Sequence, residues 1–379
     1  MSWIALKMLT GDRNKFLGII FGVMFASLLI AHQVSIFAGI MKRTTSQILD
    51  VQEADVWVMD PKVRYVDEIH PLLETDLHRV RGVEGVGWAV RMYKGLLRVR
   101  KLDGDFRQSV VMGLDDATLV GAPVEMVMGK LSDLRTPDAV IVDAAGYSYL
   151  WPGEPMAVGK VLELNDRRAV LVGICKASAP FMSVPVMYTR YSQAMQFAPP
   201  ERNLMSFVLV KGDGSVSNET LCKRIHDTTG LQALTRTQFV WKTVDFFLKF
   251  TGIPVNFGIT VLLGFIVGIA IAGQTFYLFT IENLKQFGAL KAMGVSNLRL
   301  VGMILLQAFV VGLIGYALGM GLAALFFEST KHLVHLAGFL IPWQVLVGTA
   351  VAVLVIVLLS SLLSIRKVLV LEPAIVFRG

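Results

Sequence analysis

The stretch FGITVLLGFIVGIAIAGQTFYLFTIENLKQFGALKAMGVS, residues 257–296, decides the fold. Its first part, through Ile281, carries no Asp, Glu, Lys or Arg and is long enough to cross a hydrocarbon core, which takes about 20 residues. At Glu282 the pattern changes. Leu284, Phe287, Leu290 and Met293 recur at helical spacing, and Lys285, Gln286 and Lys291 fall mostly elsewhere around the axis. That arrangement predicts an amphipathic helix of roughly three turns. Gly294 follows the last periodic residue, where a left-handed cap is cheap only for glycine. A short helix pinned between two spans moves when they move. It suits a partner that presses on the membrane part; a plain interfacial connector has the same pattern.

Charge-free runs at 16–41, 250–281, 301–327 and 333–365 give four spans. A hydrophobic content of 54%, only 17% charged residues and a mean hydropathy of +0.60 exclude an ordinary soluble chain. The net charge of +7 would suit nucleic acid, but its placement argues against that partner. Residues 42–249 hold 26 Lys and Arg against 25 Asp and Glu. The surplus flanks the spans, at Lys7, Arg13 and Lys15, at Lys285, Lys291 and Arg299, and at Arg366, Lys367 and Arg378, whereas the loop between the last two spans has only Lys331. The positive-inside rule then places both termini and the 282–299 loop in the cytoplasm, and 42–249 outside. Lys42 and Arg43 point the other way and are outnumbered. Residues 2–15, with Trp3 at headgroup depth, read as an interfacial helix leading into an uncleaved anchor. His32 and Gln33 lie inside the first span and must face protein, either as a proton or substrate contact or as a hydrogen bond to a neighbouring helix. In the third span, Gly315-x-x-x-Gly319 permits close helix approach and a dimer seam. Pro342 suits the first turn of the fourth, with Trp343 at the interface.

The outside domain shows two similar ends. Strand patterns at 54–58 and 83–90 flank helical spacing at 65–80; strand patterns at 206–211 and 231–235 flank a helix at 217–228, capped by Ser217 or Asn218. Between them, 96–102 and 106–112 flank Asp103-Gly104, and 161–164 and 169–174 flank Asn165-Asp166, both hairpin signals. Two βαβ halves, 54–91 and 204–236, should therefore pair, with a β-rich insert at 92–203. Helical spacing resumes at 237–249 and is interrupted at Pro254. Cys175 and Cys222 lie where a disulfide is permitted; a bridge and two buried thiols both remain open. With no CxxC and no His at ligand spacing, a metal site on them is not expected. Gly153…Gly159-Lys160 and Gly121…Gly129-Lys130 miss the phosphate-cradling pattern in spacing and lack its Ser or Thr, so the chain is expected to bind no ATP. No G-x-S-x-G or H-E-x-x-H occurs, which leaves a membrane-anchored enzyme without a catalytic constellation.

The string after the second span, an acidic residue, a glycine and LKAMG followed by a small residue, resembles the signature of FtsX- and MacB-class ABC transporter permeases. Residues 257–281, the glycines of the third span and the ending RKVLVLEPAIVFRG are similar to the DevC-type subgroup, the permease of a heterocyst-glycolipid exporter. The resemblance covers essentially the whole chain and is strongest after about residue 250. It implies a non-catalytic permease working as a homodimer, with two copies of a cytoplasmic ABC ATPase that bind ATP and Mg. It implies export of a lipid-like, peptide or drug-like substrate with a membrane-fusion adaptor and an outer-membrane channel, from a bacterial inner membrane. Residues Glu282, Leu284, Lys285, Phe287, Gly288, Leu290, Lys291 and Gly294 would couple to the ATPase. The alternative within the class is an FtsX-like mechanotransmitter that regulates a periplasmic cell-wall hydrolase. The expected fold class is four transmembrane helices plus an α+β extracytoplasmic domain between the first two. Its parts are an interfacial helix at 1–15, spans at 16–41, 250–281, 300–327 and 342–365, the domain at 42–249, a coupling loop at 282–299, a short loop at 328–341 and a tail at 366–379.

Overall fold

A computed structural model of the chain describes residues 2–199, 204–330 and 339–371. Most of the loop expected at 328–341, and residues 372–379 of the tail, lie outside the described residues. The helices are α1 (Ser2–Gly11), α2 (Arg13–Thr44), α3 (Ser46–Asp50), α4 (Glu74–Arg81), α5 (Ala144–Leu150), α6 (Tyr191–Phe197), α7 (Asn218–Thr229), α8 (Arg236–Phe250), α9 (Ile253–Glu282), α10 (Leu284–Ala292), α11 (Asn297–Thr330) and α12 (Trp343–Leu369). The strands are β1 (Val56–Met59), β2 (Val86–Lys101), β3 (Phe106–Leu114), β4 (Glu125–Met128), β5 (Ala139–Asp143), β6 (Val161–Leu164), β7 (Arg167–Lys176), β8 (Val186–Arg190), β9 (Phe207–Gly212) and β10 (Gln232–Thr235). The chain divides into two units, one holding the long apolar helices and the other residues 40–251.

In the first unit α2, α9, α11 and α12 are each long and apolar enough to cross a membrane. They pack through small residues, which let backbones approach where no hydrophobic drive separates helix from lipid. A methyl group at Gly268 of α9 would lie 2.6 Å from the Ala26 side chain of α2, and one at Gly22 would lie 2.6 Å from Ile271. On α11, a methyl at Gly315 would meet Val23 at 2.7 Å, and one at Gly319 would meet the Met24 carbonyl at 2.6 Å. The glycine pair therefore seats α11 on α2 of the same chain, which corrects the dimer-seam expectation. Leu262, Leu263 and Ile266 of α9 and Leu313 of α11 point outward, as lipid-facing side chains must. Pro342 is the N-cap of α12, one position before the first turn expected for it.

In the second unit, β10, β1, β9 and β2 form an antiparallel four-stranded layer in that order. β1–α4–β2 and β9–α7–β10 are its two halves, each with a strand of the other half between its own pair, the split βαβ arrangement. Both faces are covered, so β1 is buried at every residue. Val56 and Val58 pack with Leu77 of α4 and Leu221 of α7; Trp57 and Met59 pack with Ile48 of α3 and Phe239 of α8. The insert is a closed ring, β2–β3–β8–β5–β7–β6 and back to β2, with β4 along β7. Val99, Val111, Val140, Leu162, Leu171 and Met187 fill it.

Three expectations are corrected here. The strands expected at 83–90 and 96–102 are one continuous β2, which pairs with β9 through Met92 and with β3 from Tyr93. The helix expected at 65–80 forms only over Glu74–Arg81. Pro71 removes a donor, and Tyr65 is drawn out to stack on Phe246 at 4.2 Å. The kink or break expected at Pro254 is a break, and it falls earlier, at Thr251–Gly252; Pro254 sits in the first turn of α9, where its missing N–H costs nothing.

Candidate functional site

α9 runs to Glu282, and Asn283 alone separates it from α10. The Asn283 side-chain amide donates to the Phe279 carbonyl at 2.8 Å, and the Asn283 carbonyl accepts from the Phe287 amide at 3.0 Å, so the two helices meet without a loop. Phe287, Gly288 and Leu290 are buried. With Leu284 half-buried beside them, they enter a cluster formed by Ala5 of α1, Leu300, Met303 and Ile304 of α11, and Val368 of α12. The α10 end is a Schellman turn. The Val295 amide donates to the Leu290 carbonyl and the Gly294 amide to the Lys291 carbonyl, each at 3.1 Å, and Gly294 has φ +85°. Met293, expected on the buried stripe, is 73% exposed. It is the C-cap, where the chain leaves the helical path before the next apolar position can face inward.

The charged residues divide by task. Lys291 bends inward, and its ammonium donates to the carbonyls of Leu369 at 3.0 Å and Leu371 at 2.9 Å. Leu369 is the last residue of α12 and Leu371 lies just past it, where terminal carbonyls lack helical partners and the helix dipole favours a cation. Glu282 pairs with Lys15 at the start of α2, and Lys15 also pairs with Asp12 at 2.8 Å, holding the Asp12 carboxyl below its usual range by hydrogen bond and charge. Lys285 and Gln286 point away from the cluster, as do Leu298 at the start of α11 and Trp3 of α1, the latter under the Lys7 ammonium at 4.7 Å. Gln307, buried inside α11, donates to the Ala5 carbonyl at 2.7 Å and fixes α1 against it. The sequence signal for that contact is an amide side chain in an otherwise apolar run; Lys291 as a helix cap has no signal in sequence spacing, because its partners lie 78 and 80 residues away.

The remaining candidates lie elsewhere. The His32 ring packs edge-on to Phe326 at 4.8 Å and over Phe327 at 5.7 Å, and Gln33 is half-buried. Cys175 and Cys222 are free thiols in two different cores, and burial raises both, Cys222 to about 12. Among the described residues no group of His, Cys, Asp and Glu is placed to hold a metal ion.

Residues 246–373 match the FtsX-like permease C-terminal family. Over 270 residues the chain is 26% identical to an uncharacterized ABC transporter permease of Mycobacterium tuberculosis, covering 70% of this chain and 69% of the relative. It is 20% identical to one of Methanocaldococcus jannaschii over 396 residues, 99% of this chain and 96% of the relative. Among solved structures, the periplasmic region of MacB from Actinobacillus actinomycetemcomitans aligns with a TM-score of 0.39 at 12% identity, covering 52% of this chain and 95% of that one. The extracellular domain of the ABC-type transporter YknZ from Gram-positive bacteria aligns with a TM-score of 0.37 at 15% identity, covering 48% and 98%.

Proposed function

We propose that this chain, an ABC transporter permease with an FtsX-like C-terminal domain, takes up ATP-driven motion from a separate ATPase subunit through α10. The observation that carries this reading is the seating of α10. Phe287 and Leu290 are locked among α1, α11 and α12, while Lys285, Gln286, Met293 and Leu298 face outward. A load on the outward side reaches three helices together, because packed side chains transmit displacement. Lys285 is then a docking contact, whereas Leu284, Phe287, Gly288, Leu290 and Lys291 hold α10 to the bundle; Glu282 ties its approach to α2, and Gly294 fixes its exit. ATP and Mg2+ are held by the partner, two copies of which serve two copies of this chain. The basic residues beside α10 support a cytoplasmic location for it and for both termini, in a bacterial inner membrane. The sequence of α9, the glycine pattern of α11 and the sequence at 366–379 support a DevC-like exporter of a lipid-like, peptide or drug-like substrate, working with an adaptor and an outer-membrane channel.

Cysteine crosslinking tests the docking. Lys285→Cys and Met293→Cys should crosslink to the ATPase subunit in membranes, and Ile266→Cys on the lipid side should not. Equal crosslinking from all three, or none from α10, would remove the basis for this reading.

A further inference from the structure

Where β2 passes from the four-stranded layer to the closed ring, a cleft of about 520 Å3 opens. That is the size of a small-molecule site. Its surface is mostly apolar and aromatic, from Tyr65, Tyr93, Leu96, Val110, Met182 and Leu204. A side chain at Gly95 would strike the Tyr93 hydroxyl, so glycine lets the Tyr93 ring fold over the floor. Two charges also line the cleft, Lys94 and Asp67. The Lys94 side chain is only 4% exposed; its ammonium is paired with Asp67 Oδ1 and donates to the Val66 carbonyl at 3.3 Å. The Asp67 side chain is 33% exposed, and its second oxygen accepts no hydrogen bond among the described residues.

We infer that this cleft binds a small amphipathic amine, its head on Asp67 Oδ2 and its apolar body on Leu96, Val110 and the two tyrosines. The asymmetry of the ion pair selects the head group. An entering molecule meets the carboxylate, which the buried cation fixes in place. An acid would have to displace Asp67 from Lys94 and leave that carboxylate without its partner. A neutral alcohol gains a hydrogen bond to Asp67 but not one in which both partners are charged. An ion pair with a buried cation is weak evidence for a stability role, because desolvating that charge costs about what the attraction returns. Recognition gives this pair a reason to sit in an apolar cleft. The inference concerns binding alone and does not depend on coupling through α10.

The test uses the full chain in lipid nanodiscs and three probes with one body and different heads: 4-phenylbutylamine, 4-phenylbutanol and 4-phenylbutyrate. Saturation-transfer NMR, with empty nanodiscs subtracted, gives a dissociation constant for each. The amine should bind at least about tenfold more tightly than the alcohol or the acid, the scale of one charge-assisted hydrogen bond. The double variant Asp67→Asn/Lys94→Met removes both charges together and should bring the amine to the level of the alcohol. Met182→Trp, at the exposed rim, should weaken all three without touching the ion pair. Tightest binding of the acid would make Lys94 the anchor and overturn the inference. So would an amine preference that survives the double variant, or binding of all three that ignores Met182→Trp.

Discussion

Gly294 holds φ +85°, and a side chain added there meets nothing within 4 Å. Any effect of replacing it is therefore backbone strain and not a clash. Gly294→Val should cost roughly 1–2 kcal/mol, since a β-branched residue is poorly accommodated in the left-handed region. That is small against folding of the bundle. It matters against a two-state switch, where reversing a 1:99 population takes about 5.5 kcal/mol. Gly294→Val should reach the membrane at levels similar to wild type and, compared at equal amounts, show weaker coupling of ATP hydrolysis to transport; Gly294→Asn, which tolerates this conformation better, should lie between them. Asp143 supplies a second residue-scale expectation. Its oxygens accept from the Gly146 and Val186 amides at 2.9 and 2.8 Å, yet burial outweighs those bonds and pushes the carboxyl up to about 6. Between its ordinary value of 3.8 and about 6, the folded state therefore holds a proton that the unfolded chain has lost. The associated stability is fully present below the lower value and lost as pH rises through the upper one, on the order of 3 kcal/mol. Thermal melts in detergent at pH 4 and pH 7 check the sign: wild type should lose more stability across that interval than Asp143→Asn. The fate of single side chains is the least legible level in the sequence. Spacing identifies Leu284, Phe287 and Leu290 as one stripe, but carries no sign that Lys291 turns inward to α12.

At the scale of elements, the coupling proposed for α10 depends on how it is seated. Leu290→Asp puts a carboxylate among Ala5, Met303 and Val368. Unpaired burial costs several kcal/mol, so the helix should detach instead. Lys285→Ala removes an exposed charge and should act only on docking. Measured as ATPase rate and substrate movement in the same membranes, Leu290→Asp should abolish coupling and Lys285→Ala reduce it a few-fold. Wild-type activity in both variants would make α10 a simple connector. The elements most legible in the sequence are those fixed by local chemistry. Asn165 and Asp166 both take positive φ, as the tight turn between β6 and β7 demands, and Ser217 caps α7 by accepting the Thr220 amide at 3.3 Å. The full length of β2 is hidden because Lys94 and Gly95 look like a break. The strand continues because Asp67 and Ser206, distant in sequence, satisfy Lys94. α5 and α6 leave no signal, since each is only seven residues and ends before helical periodicity accumulates.

For the whole molecule, the four spans are legible because a charge-free run longer than about 20 residues suits a bilayer and little else. Which side each end occupies is argued from charge alone, and reporters test it. A cysteine at Gly104 or Asn165 should be labelled from outside the cell, and one at Asn297 only after the cytoplasm is opened. Labelling of Asn297 from outside would invert the proposal. Substrate accumulation in proteoliposomes would distinguish an exporter from a mechanotransmitter, which would consume ATP and move nothing. The closed ring enters and leaves the four-stranded layer at adjacent rungs, since Met92 pairs with Phe207, much as a domain grafted into a hairpin would. The graft has not stayed separate. Met112, Ile141 and Tyr188 of the ring share one hydrophobic cluster with Trp57 and Leu209 of the layer and Phe239 of α8. Neither part can open without exposing the other, so amide protons of β1 and β5 should exchange with the same opening free energy, as a single cooperative unit.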